Sequence, residues 1–88
     1  MLKLIYEKHF EKDLLKAVKR GKDLQKLKDA TTLLTAEKPL PQKNFNHKLK
    51  GSYTGCWECH LEPDWLLIYK KTATEIILSR TGSHSDLF

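Results

Sequence analysis

The chain has 88 residues, which is one domain with no room for a second core, and 40% hydrophobic with 31% charged residues is the composition of a folded chain rather than a disordered one. Its net charge of +5 is uneven: residues 1–50 carry 13 Lys/Arg against 6 Asp/Glu, whereas residues 51–88 carry 3 against 5. A basic half suits a polyanion or an acidic protein as partner, or simply a solvated lysine face, and no apolar run approaches the roughly 20 residues of a membrane span.

Met1–Tyr6 is too short for the apolar core of a signal peptide and is followed at once by charge, so the expected compartment is the cytoplasm, with both cysteines reduced. Leu2–Tyr6 alternates as a short strand. From Glu7 the period becomes helical, with Phe10, Leu14, Ala17 and Val18 as an apolar stripe and Lys8, Lys12, Lys16 and Lys19 opposite it. Gly21 is a helix stop. Asp23 opens a second helix with Leu24, Leu27, Thr31 and Leu34 inward, which Pro39 and Pro41 end. The tight join around Gly21 predicts an antiparallel helical hairpin.

Residues 42–52 read as loop, with Leu49 able to enter a short strand. Tyr53–Leu61 and Trp65–Lys71 form a hairpin around Glu62-Pro63-Asp64, a second turn lies at residues 71–74, and Glu75–Thr81 is the last strand before a polar tail. The expected fold is therefore α+β, in the order β-α-α-β-β-β over residues 1–88, an antiparallel sheet with an N-terminal helical hairpin on one face. The other face is left free for a site.

Cys56-Trp57-Glu58-Cys59-His60 matches the C-x-x-C-H pattern of haem attachment. It lies in a predicted strand, where residues three apart point to opposite faces, so haem is rejected, zinc is weakened and the cysteines read as packing, with a metal protein using Cys56, Cys59 and a histidine as the weaker alternative. Tyr53, Trp57, Cys59 and Leu61 share the predicted core face; Cys56, Glu58 and His60 share the other. His47, His60 and His84 each stand beside a break in structure, and an antiparallel sheet can bring such points to one end. His9 reads as a surface residue.

RNA cleavage asks for removal of the ribose hydroxyl proton, a grip on the phosphate as its charge grows, and return of a proton to the leaving oxygen. Imidazoles serve either proton transfer near neutral pH, a carboxylate acts as base or orients an imidazole, and an arginine supplies fixed charge. Trp65 and Phe88 are candidates to stack on bases, with packing an equal alternative for each. The route needs no metal and no cofactor.

The chain resembles the YafQ branch of the RelE/ParE superfamily of bacterial type II toxins. The matching words are His47-Lys48-Leu49-Lys50-Gly51, the run Cys59-His60-Leu61-Glu62-Pro63-Asp64-Trp65-Leu66-Leu67-Ile68-Tyr69, Arg80-Thr81-Gly82-Ser83-His84, and Leu87-Phe88. The resemblance implies a RelE-like fold and a ribosome-dependent mRNA endonuclease acting in the A site. Its implied functional positions are His47, His60, Asp64 and His84 as catalytic residues with Trp65, Phe88 and Arg80 at the substrate, and Lys12 and Lys16 read as ribosomal RNA contacts. It further implies a cognate acidic antitoxin, through which alone operator DNA is reached. The competing readings are a non-catalytic basic module that grips nucleic acid or protein through the helices, and a gyrase-poisoning relative within the superfamily.

Overall fold

The computed structural model describes all 88 residues. Strand β1 (Lys3–Tyr6) leads into helices α1 (Lys8–Lys19) and α2 (Leu24–Thr35). Between them Gly21 takes φ 77°, the left-handed turn that suits glycine, while the Lys22 N–H donates to the Ala17 carbonyl and closes the end of α1. The Asp23 side chain accepts from the Gln25 N–H and starts α2 as the sequence predicts. Helix α2 stops at Thr35, four residues before Pro39, because Glu37 adopts φ 57° and the Lys38 N–H turns back to the Leu33 carbonyl.

After a 3₁₀ turn at Gln42–Asn44 come β2 (His47–Lys48), β3 (Trp57–Glu62), β4 (Trp65–Lys71), β5 (Glu75–Gly82) and a last short helix, α3 (His84–Leu87). The sheet order is β1-β5-β4-β3-β2. β3, β4 and β5 are antiparallel as expected, β2 adds an antiparallel strand within the stretch read as loop, and β1 joins the edge parallel to β5, with Lys3 opposite Glu75. A parallel neighbour needs a long crossover instead of a tight turn, and two helices and three strands separate the pair.

Both helices lie on one face. Phe10, Ala17, Leu27, Ala30 and Leu34 pack there on Cys59, Leu61, Trp65, Leu67, Tyr69, Ile76 and Leu78. Val18 and Leu24, expected inside, are exposed. The opposite face is only partly free: Cys56, Leu66, Ile68 and Leu87 form a second small core, with Leu49 and Tyr53 against it. Two expectations change here. Tyr53 belongs to a 3₁₀ turn (Gly51–Tyr53) and not to β3, so strand alternation does not reach it and it packs on the far face. The predicted polar tail is helical because Ser83 and Asp86 form a reciprocal capping box.

Candidate active site

Register carries the site to the sheet face away from the helices. His47 pairs with Glu58, and His60 with Leu66, so Glu58 and His60 stand two apart on one strand and share that face. The loop before β2 is fastened from both sides: the Asn44 amide donates to the His60 carbonyl at 2.7 Å, and the Tyr69 hydroxyl donates to the Asn46 side chain at 2.7 Å. Burial pushes that phenol up to about 12, so it remains a donor at neutral pH. At the far end, α3 returns His84 beside the β3–β4 turn.

His47, His60 and His84 converge. Ring centroids of His47 and His60 are 6.3 Å apart, and those of His60 and His84 are 5.7 Å apart. Two carboxylates serve this row. The His60 Nε2–H donates to Glu58 Oε1 at 3.1 Å, with His47 Nε2 at 3.6 Å from the same oxygen. The Glu58 side chain is 6% exposed, so these two imidazoles are what compensate it. His47 is oriented from its other side, where Nδ1–H donates to the Phe45 carbonyl at 2.8 Å.

Asp64 Oδ1 accepts both the His84 backbone N–H at 2.8 Å and the His84 Nδ1–H at 2.6 Å. The backbone bond first, and the ring bond after it, hold the Asp64 carboxyl below its usual range. Asp64 therefore stands ionised and orients the imidazole, leaving Nε2 of His84 outside the pair.

The remaining predicted residues fall differently. Trp65 is 1% exposed and faces the helices with Leu67 and Tyr69, so it is a core side chain and not a base platform; its position beside Asp64 in sequence is offset by strand alternation, which turns it inward. Phe88 is exposed, with its ring edge-on to Tyr53 at 5.4 Å, as a stacking residue would be. Arg80 does not stand alone: its Nε and Nη2 donate to Asp13 at 2.6 and 3.3 Å, which leaves Nη1 outside the pair. Asp13 also accepts the Thr81 N–H, so one helical carboxylate fixes both neighbours. Lys12 and Lys16 are exposed on α1, whereas the lysines that find carboxylates are Lys22, Lys26, Lys70 and Lys71.

Sequence reasoning missed Glu58, Asp13 and Phe45. The signal for Glu58 was present, since alternation placed it on the His60 face. Asp13 had none beyond its charge. Neither cysteine joins the site: Cys59 lies in the helix-side core and Cys56 in the opposite one, and burial raises the Cys59 thiol to about 12. No three His, Cys, Asp or Glu side chains are arranged to hold a metal ion.

A five-stranded sheet under two helices is the fold of the small RelE-like bacterial toxins. Within that class the chain belongs to the YafQ family: residues 2–88 match the family described as bacterial toxin of type II toxin-antitoxin system, YafQ. The mRNA interferase toxin YafQ of Escherichia coli K12 is 45% identical over 84 residues, which is 94% of this chain and 91% of the relative. Among solved structures, a copper-bound mutant toxin from Helicobacter pylori superposes with a TM-score of 0.95 at 41% identity over the whole of both chains. The toxin of the E. coli DinJ–YafQ toxin-antitoxin complex gives 0.91 at 43% identity over 99% of this chain and 97% of that one.

Proposed function

We propose that this YafQ-type toxin, an endoribonuclease acting on mRNA, cuts by acid–base catalysis between two imidazoles that are each held by a carboxylate. The observation that carries this reading is the facing of the Glu58–His60 and Asp64–His84 pairs across 5.7 Å. One imidazole takes the 2′ hydroxyl proton, the other returns a proton to the leaving 5′ oxygen, and the paired carboxylates balance the charge that forms on each ring. His47 adds a third imidazole at the phosphate. The chemistry is complete without a metal, because ring nitrogens supply both proton transfers, and the product is a 2′,3′-cyclic phosphate.

Substrate is reached on the translating ribosome, in the cytoplasm. Lys12 and Lys16 approach ribosomal RNA, where phosphate binding needs charge more than geometry. Arg80, held by Asp13, presents Nη1 to the substrate backbone, and Phe88 stacks on a base. The partner is a cognate acidic antitoxin, which connects the toxin to operator DNA. Open hydrogen-bonding groups along the outer edge of β1, beside the exposed Met1, Tyr6 and Leu24, offer it a surface for strand addition.

Expression of His60→Ala and His84→Ala, with primer extension on a reporter mRNA, tests the reading. Both variants should lose cleavage and growth arrest while folding as the parent does. If both cut and arrest growth at the parent's level, the acid–base assignment is lost. A non-catalytic basic module predicts the reverse, with Lys12→Glu and Lys16→Glu abolishing function and the histidine variants keeping it.

A further inference from the structure

We infer that Phe45 and the groove beside it form a nucleobase subsite, in which a base adjoining the scissile phosphate of single-stranded RNA stacks on the Phe45 ring. The inference rests on the RNA-cleaving reading above and deepens it. Three observations about Phe45 carry it.

The ring is 67% exposed, which is unusual for a phenylalanine, and it belongs to neither apolar core. The backbone takes φ 48°, the left-handed conformation that bulky side chains avoid and that glycine or asparagine adopts at less cost. An exposed side chain held in a disfavoured conformation is not explained by folding, because the fold would gain by replacing it. The strain is nonetheless maintained: the Phe45 N–H donates to the Gln42 carbonyl, its own carbonyl accepts the His47 ring, and Asn44 is tied to β3.

Its neighbours are the catalytic row. The Phe45 centroid is 5.4 Å from that of His47 and 5.7 Å from that of His60. Beside it opens a groove of about 700 Å³, large enough for a nucleotide, which reaches His60 and is bordered by Gln42, Lys43 and Asn44, with Asp29 and the Lys26–Glu62 ion pair also on its wall. The loop that carries Phe45, residues 42–50, contains Lys43, Lys48 and Lys50 and no carboxylate, so the loop, and not the wall with Asp29 and Glu62, offers charge to a phosphate. An aromatic platform on a lysine-bearing loop, standing next to proton-transfer groups, is how single-stranded nucleic acid is gripped, since every base offers a π-face.

The test uses binding as well as cleavage. Phe45→Asn suits the left-handed backbone and should melt no lower than the parent; Phe45→Trp keeps a ring. Affinity is read by fluorescence anisotropy of a 2′-O-methyl RNA hexamer, which lacks the attacking hydroxyl and cannot be cut. The expected result is a roughly tenfold loss for Phe45→Asn and retention within about twofold for Phe45→Trp. Abasic substitution scanned along the hexamer should find one position costing the parent about tenfold and costing Phe45→Asn nothing further. Equal affinity of parent and Phe45→Asn, or an abasic penalty that is the same in both, overturns the subsite. On programmed ribosomes Phe45→Asn should raise the half-saturating toxin concentration and leave the maximal cleavage rate and its pH profile unchanged; a fall in rate alone would mean that Phe45 acts only through the histidine rings, and overturns it too. Ring- and base-dependent binding by a parent that cuts no mRNA would remove the nuclease reading and leave the subsite standing.

Discussion

Glu58 and Trp65 show how strand geometry redistributes roles between residues close in sequence. Glu58 stands on the site face, buried, with one oxygen shared by His60 and His47. Glu58→Gln keeps the shape and a hydrogen-bond acceptor but removes the charge that balances a protonated ring. It should lower single-turnover cleavage by about tenfold or more, with little change in melting temperature. Trp65 sits one residue from Asp64 and faces the other way, so Trp65→Ala should cost about 3–5 kcal/mol in urea unfolding. Trp65→Phe, which refills most of that space, should still cut RNA. Alternation placed Cys59 and Leu61 in the core and Glu58 and His60 on the site face; for Trp65 the sequence left stacking and packing both open, and its burial with Leu67 and Tyr69 decides for packing. Phe45 was not legible at all, since nothing local in Gln42–Asn46 announces a left-handed phenylalanine.

Among elements, α3 carries His84 of the proposed acid–base pair. Its four residues do not hold themselves in place. Arg20, at the end of α1, donates two bonds to Asp86, which in turn accepts the Ser83 N–H and completes the capping box. A Cβ on Gly82 would stand 3.0 Å from the Asp86 side chain, so the approach of β5 to α3 is built around that glycine. Arg20→Ala should therefore reduce cleavage without touching substrate, and Gly82→Ala should do the same. Acid gives a second handle on this element. The Arg20 bond foremost, with the Ser83 N–H, holds the Asp86 carboxyl below the usual range, and the His84 bonds lower Asp64. A carboxylate with a depressed folded pKa binds fewer protons than in the unfolded chain. Its stabilisation is complete above the unfolded value near 4 and is lost as pH falls through the folded one. The melting temperature should accordingly fall below about pH 4, and fall less steeply in Asp86→Asn, as followed by circular dichroism. Helix α3 was missed in the sequence because four residues show no period, and only the Ser83/Asp86 spacing marked a cap. The two long helices and four of the five strands were legible because their periods run for two turns or more, or for several alternations, whereas the two residues of β2 show none.

For the molecule as a whole, charge and chain topology set behaviour that no single residue does. The lysines of α1 are exposed and Lys12 and Lys16 carry no ion pair, so Lys12→Glu with Lys16→Glu should weaken sedimentation with ribosomes and flatten its dependence on salt, while leaving the fold intact. The parallel seam between β1 and β5 has a different consequence. It joins Lys3 to Glu75, and the bonds Asp13–Arg80, Arg20–Asp86 and Asp64–His84 span comparable or shorter lengths of the same circuit. Pairing so distant in the chain is slow to form, because loop-closure entropy is lost before contacts compensate it. Because the site draws on elements from both ends of this circuit, activity and tertiary structure should disappear at one midpoint in a urea titration.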